Sequence, residues 1–326
     1  NMTSYSYNAS FGGEGAITSA IDYVVNEEMP QVYVLEGHGE AELPEAFSDQ
    51  IEKENMELTT FSLLTEDSVP EEADCVLIYA PASDISREEK DQLAKYVSGG
   101  GKLMVLAGPV ENGTLENLYS LLEDYGVEAA EGIVVETDRG HYAFQAPYIL
   151  LPNLQSSEIT DPLIQEHYYS IIPIAQGLTV KGADSAEVTE LLTTSETAFS
   201  KTDGYGLTTY EKEEGDTDGP FAVAVSVACG NDGQMIWFTS SHFLDDMYNA
   251  YSSGANLDLG MNALSSLIGE SEAVAIRSKS LNYNYLTISD STASLLKTVM
   301  IGVFPLLYLG IGICVVVRRR RKDEPV

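Results

Sequence analysis

Few residues in this chain are of a type and spacing suited to chemistry. His38 and Glu40 lie two apart in Gly37-His38-Gly39-Glu40, directly after the apolar segment Val32–Leu35. A histidine beside a carboxylate can act as acid and base or hold a metal ion, and open α/β sheets place their ligands just past the carboxyl ends of central strands. A Gly-x-Gly run with a polar residue between is also an ordinary turn. His242 follows a second strand-like segment, 235–239. His38, Glu40 and His242 are therefore the candidate ligand-binding residues.

Covalent catalysis needs more: a nucleophile on a sharp turn after a strand, activated by a base. Ser83, Ser240 and Ser241 follow strands, but the Gly-x-Ser-x-Gly frame is missing, and Cys75 lies inside its strand, where a thiol packs as a small apolar group. Gly99-Gly100-Gly101-Lys102 closes a helix and opens a strand, the reverse of a phosphate loop. Asp216-Thr217-Asp218-Gly219 starts like a calcium loop but lacks the remaining ligands, and reads as a solvated turn. No catalytic residue, metal, ATP site or cofactor is expected.

The elements that must position these residues alternate. A stripe over Ala16–Val25 and another over Leu43–Asn55 predict helices, with strands at Val32–Leu35 and Leu58–Leu63. Cys75–Tyr79 is a continuous apolar run, the mark of a strand buried on both faces of a parallel sheet. Ser86-Arg87-Glu88-Glu89 is a capping box that opens a helix with an inward stripe at Leu93, Tyr96 and Val97. Strand Leu103–Ala107, helix Leu115–Tyr125 and strand Ile133–Val135 continue the pattern. Such alternation predicts a doubly wound, mainly parallel sheet over 1–139. Residues 140–220 read as a β-rich or irregular insertion or second subdomain, and 221–280 as the closing part: a hairpin around Gly230–Gly233, a helix Leu257–Ile268 and a strand Ala273–Arg277.

The carboxyl-terminal end is of a different kind. After a linker, 281–297, the twenty residues 298–317 carry no charge, enough at about 1.5 Å per residue to cross a hydrocarbon core, and Arg318, Arg319, Arg320, Arg321 and Lys322 follow in the tail 318–326. Such a basic cluster stays cytoplasmic, so residues 1–293 are expected outside the cell membrane. Gly302, Pro305, Gly310 and Gly312 within the span suit close packing against other membrane helices. An outside amino terminus requires a translocation signal, so a further membrane helix or a cleaved signal is expected before Asn1. Residues 1–293 hold 11 Lys and Arg against 49 Asp and Glu, a surface that repels nucleic acid and anionic lipid headgroups.

Several segments together resemble the auxiliary component of gliding-motility-type (GldG-like) ABC transporters. They are VYVLEGHGE at 32–40, the stretch 73–109 from ADCVLIYAP to GGGKLMVLAGP, LLTTSETAFSK at 191–201, GPFAVAVSVA at 219–228, MIWFTSSHFLDD at 235–246 and the stretch 256–280. The resemblance implies an amidotransferase-like or flavodoxin-like α/β domain, related also to intraflagellar-transport-type folds, acting beside an ABC permease and a separate ATPase. With the sheet ordered as in that family, His242 approaches the edge carrying His38 and Glu40. Thr239-Ser240-Ser241-His242 departs from the Gly-Asp or Gly-Ser found in many relatives. The expected function is a non-enzymatic extracytoplasmic subunit that binds substrate or scaffolds the complex; an envelope hydrolase of glycans or peptides on a degenerate amidotransferase-like fold is the alternative.

Overall fold

The computed structural model describes residues 10–11, 29–182, 186–269, 279–280, 298–306, 308 and 310. Two compact units divide the chain, one of Gly12–Ser278 and one of the two ends, Asn1–Phe11 with Lys279–Val326.

The larger unit begins with β1 (Gln31–Leu35), α1 (Glu45–Lys53), β2 (Glu57–Phe61), β3 (Cys75–Tyr79), α2 (Arg87–Ser98), β4 (Lys102–Leu106) and α3 (Glu116–Glu123). It continues through β5 (Val127–Ala129), β6 (Ile133–Val135), β7 (Leu178–Val180), β8 (Glu187–Thr193) and β9 (Phe199–Lys201) to β10 (Ala222–Gly230), β11 (Gly233–Phe238) and α4 (Ala255–Ile268). In the main sheet β2, β1, β3, β4 and β11 are parallel neighbours in that order. β10 joins β11 antiparallel, and β8, β7 and β5 extend that side. The fold is thus mixed α/β with a mainly parallel centre. Because β1 leads through α1 to β2 on one side and the chain returns to β3 on the other, winding reverses between β1 and β3, the topological switch point.

Side-chain alternation divides the core. Cys75, Leu77 and Tyr79 of β3 join Met104, Leu106, Ile236 and Phe238 on one face, beneath α1 and α4. Val76, Ile78, Leu103, Val105, Met235 and Trp237 point to the other, beneath α2 and α3. Strands buried on both faces need no polar alternation, so their sequences are continuously apolar. In α1, Phe47 and Ile51 are fully buried one turn apart, and each contributes about 2 kcal/mol by leaving water. α2 has both bonds of the capping box and ends at Gly99; Gly100 then takes φ 107°, where an added Cβ would meet the Asn231 carbonyl at 2.9 Å. The β10–β11 hairpin turns through Asn231 and Asp232, both at positive φ, as a two-residue primed turn requires.

Two local expectations change. β6 lies in a small antiparallel sheet with β9 and Thr217–Asp218 and takes no part in the main one; a three-residue apolar run is buried in either place, so periodicity cannot assign it. Asp216-Thr217-Asp218-Gly219 is solvated only in part: Thr217 and Asp218 are exposed, whereas the Asp216 side chain is not. Asp216 is buried against the fully buried ammonium of Lys201, which also meets the Glu213 carboxylate and the Glu211 carbonyl, because a cation taken from water must be repaid with anions and acceptors.

In the smaller unit Ser10–Phe11 pairs antiparallel with Lys279–Ser280, and Thr298–Val303 is π-helical. Among the described residues no helix is long and apolar enough to cross a membrane. The expected span 298–317 is described only at 298–306, 308 and 310, where Ile301, Leu306 and Tyr308 are exposed alongside Gly302, Pro305 and Gly310. The helix expected over 16–25, the strand over 273–277, Gly312 and the basic cluster 318–322 lie outside the described residues.

Candidate functional site

β1 ends at Leu35, and the next turn sets His38 at the switch point. Its carbonyl accepts the N–H groups of Ala82 (3.1 Å) and Ser83 (3.0 Å) and the Ser83 hydroxyl (3.0 Å), which joins the turn after β1 to the turn after β3. The side chain is 6% exposed, with Nδ1 3.2 Å from Glu40 Oε1 and Nε2 3.1 Å from Glu89 Oε1. Glu40 Oε2 accepts the N–H groups of Gly37 (3.0 Å) and His38 (2.8 Å). Glu89 Oε2 accepts the Ser86 N–H (2.8 Å), so one carboxylate both caps α2 and faces the imidazole.

A carboxylate at each ring nitrogen favours the imidazolium form of His38. The hydrogen bond to Glu40 raises its pKa most; burial opposes this, and the charge of Glu89 adds to the rise. Burial pushes Glu40 and Glu89 up, but hydrogen bonds from His38 and from backbone and side-chain donors hold both below the usual carboxylate value. In that form both N–H groups meet carboxylates and the ring offers no lone pair to a metal. The cluster is an internal clamp between β1, β3 and α2.

The neighbouring strand ends are similarly engaged. Ala80, the first residue after β3, has φ 49°, in the left-handed region, and carries only a methyl group. Asp84 accepts the N–H groups of Asn117 (2.7 Å) and Leu118 (3.0 Å), capping α3 from another loop. Ser241 Oγ accepts the Gly108 N–H (2.9 Å), and Ser240 Oγ donates to the Pro173 carbonyl. The hydroxyls of Ser83, Ser240 and Ser241 therefore meet backbone groups.

His242 shares no described hydrogen bond or ion pair with this cluster. Its Nδ1 is 3.0 Å from Asp245 Oδ2, with the two side chains 43% and 40% exposed, and that bond raises the imidazole pKa against partial burial. The described hydrogen bonds and ion pairs join His38 to Glu40 and Glu89 and His242 to Asp245, and none joins the two histidines. Among the described residues no group of three or more His, Cys, Asp or Glu side chains is arranged to hold a metal ion.

Three residues outside the expected set organise this region. Glu89 was legible as a cap but not as the partner of a histidine 51 positions away. Asn256, fully buried at the start of α4, accepts from Ser170 Oγ and the Ile171 N–H (both 2.9 Å) and donates to the carbonyls of Ile171 (2.8 Å) and Phe243 (2.7 Å). An amide on an otherwise apolar helix face is its signal in the sequence. Glu136, after β6, accepts from Ser195 Oγ (2.7 Å), the Ser195 N–H (3.1 Å) and the Thr137 N–H (3.0 Å), and nothing in the sequence marks it.

The family model described as an ABC-type uncharacterized transport system matches residues 29–264, and the chain belongs to this family. It is an auxiliary component of an ABC-type transport system. No curated protein matches. Among solved structures, the mmIFT52 N-terminal domain is 16% identical with a TM-score of 0.53, over 73% of this chain and 97% of that one, a likeness of fold. The exo-beta-1,4-mannosidase Op5Man5 from Opitutaceae bacterium strain TAV5 is 11% identical with a TM-score of 0.36, over 73% of this chain and 36% of that one. PurLQS from Thermotoga maritima is 9% identical with a TM-score of 0.36, over 74% of this chain and 100% of that one.

Proposed function

We propose that this chain is a non-enzymatic, extracytoplasmic auxiliary subunit of the gliding-motility (GldG-like) type, binding a ligand or scaffolding an ABC permease and its separate ATPase. The observation that carries this reading is the occupied switch point: where doubly wound sheets take their ligands, both ring nitrogens of His38 already face carboxylates of Glu40 and Glu89. The hydroxyls of Ser83, Ser240 and Ser241, each bonded to a backbone group, support a non-enzymatic role over nucleophilic catalysis. The uncharged run 298–317 followed by Arg318–Lys322, with Ile301, Leu306 and Tyr308 exposed in its described part, supports a membrane anchor with a cytoplasmic tail. Gly302, Pro305 and Gly310 are then the places where permease helices pack closely. Affinity purification of the tagged full chain from native membranes tests the reading. An ABC permease and an ATPase are expected to come with it; recovery of neither contradicts the proposal.

A further inference from the structure

Beyond His242 the edge of the larger unit opens into an aromatic ledge. The Phe144 and Tyr251 rings meet edge to face at 4.6 Å, the Tyr169 hydroxyl donates to the Tyr251 carbonyl (3.0 Å), and the Tyr148 and Tyr210 rings lie 5.8 Å apart. Phe144, Tyr169, Tyr210 and Tyr251 are 49%, 49%, 42% and 55% exposed, far more than large rings held only for packing. The carboxylates of Asp245 and Asp246 stand at the start of the short helix Asp246–Tyr251, which carries Tyr251.

The ledge is held firmly from below. Phe144 and Gln145 have φ 52° and 58°, and His167 and Ser253 have φ 58° and 59°, four non-glycine residues in the left-handed region on the segments that bear the rings. Asn256 fastens Ser170, Ile171 and Phe243 together beneath them, and Asn249 Oδ1 accepts the Leu257 N–H at 3.1 Å, tying the short helix to α4. Strained backbone that sets rings toward solvent is kept by its surroundings, and interface anchors are rich in rigid aromatic residues of this kind.

We propose that this ledge docks a partner polypeptide by receiving its arginine or lysine side chains. Charge selects that occupant. The chain is 34 units negative, and a guanidinium or ammonium over these rings gains from the ring face, with the charge of Asp245, which reaches Tyr248 as Tyr148 does, adding to the attraction. Arg139, in the same loop, already lies 5.1 Å over the Tyr142 ring. A second copy of the chain brings like charge to like charge, and anionic lipid is repelled for the same reason. The inference rests on the binding reading above but is separable from it: failure to recover a permease leaves a peptide result standing, and the converse holds.

The test is calorimetric titration of the full chain with an alternating Arg-Gly peptide, its neutral citrulline counterpart and a neutral oligosaccharide. The Arg-Gly peptide is expected to bind, with the citrulline peptide and the double variant Phe144→Ala/Tyr251→Ala each weaker by about tenfold. Asp245→Asn/Asp246→Asn, which keeps every ring, is expected to weaken binding about threefold, whereas Glu71→Gln/Glu72→Gln, at the amino end of β3, leaves it unchanged. Equal affinity for all variants would mean undirected attraction to an acidic surface and overturns the proposal. So does absence of peptide binding, or preference for the oligosaccharide.

Discussion

At the switch point a histidine and two carboxylates lie at most 7% exposed, with both ring nitrogens and the surrounding N–H groups engaged. Further along the same unit His242 and Asp245 form the same kind of pair at about 40% exposure, beside a row of exposed rings. Residue types are shared between the two places, and accessibility and free hydrogen-bonding capacity are not. A histidine next to an acid becomes a binding group only where something else can still reach it; otherwise it is an internal tie. Here the tie joins the turn after β1 to α2 across the reversal of winding, where short connections from opposite directions leave a gap in the packing.

The contrast sharpens first at its foundation. If the open end depends on the core beneath it, Asn256→Ala has an effect that no other single change exceeds, leaving buried groups on Ser170, Ile171 and Phe243 without partners, with an expected loss of about 3 kcal/mol in urea unfolding. At the closed end, Glu89→Gln is expected to cost about 2 kcal/mol, since it removes one anion from a buried imidazole; Glu89→Ala costs about 1 kcal/mol more by losing the cap. A loss too small to measure at Glu89 would break the comparison.

The pH dependence is smaller and has a definite sign. The His38 pKa is raised, so its contribution is complete below the ordinary value of 6.5 and is lost as pH rises through the folded value. Glu40 and Glu89 are lowered, so theirs is complete above 4.5 and is lost as pH falls through their folded values. The stability difference between the wild type and His38→Gln is therefore expected to be greatest between the two and to shrink toward alkaline pH, as followed by urea midpoints. A difference that grows with pH would contradict the clamp. Smallest of all, His242→Ala is expected to change stability by less than about 1 kcal/mol, the usual worth of a half-exposed pair.

Much of the parallel centre was legible because its signals are local. Ser86 and Glu89 announce α2, the apolar run Cys75–Tyr79 announces a doubly buried strand, and Gly230–Gly233 announces a hairpin. His38 and Glu40 were placed correctly at a strand end, but their state depends on Glu89, which only the tertiary fold brings near. β6 illustrates the limit for strands, since three apolar residues specify burial without specifying a neighbour. Lys201 illustrates it for charges, because a buried cation and its Asp216 partner read in sequence like any exposed pair. The aromatic ledge was invisible for a related reason: its rings are scattered over more than a hundred positions, and only the tertiary fold sets Phe144 and Tyr169 against Tyr251.

The most direct test of the contrast is the nitrogen-15 spectrum of the two imidazoles in the full chain, recorded through a pH titration with and without the Arg-Gly peptide. The account expects His38 to hold a proton on both nitrogens at neutral pH, to titrate above 6.5 and to ignore the peptide, while His242, beside the ledge, shifts on binding. A neutral His38 that titrates at its ordinary value and responds to added peptide or metal would contradict it.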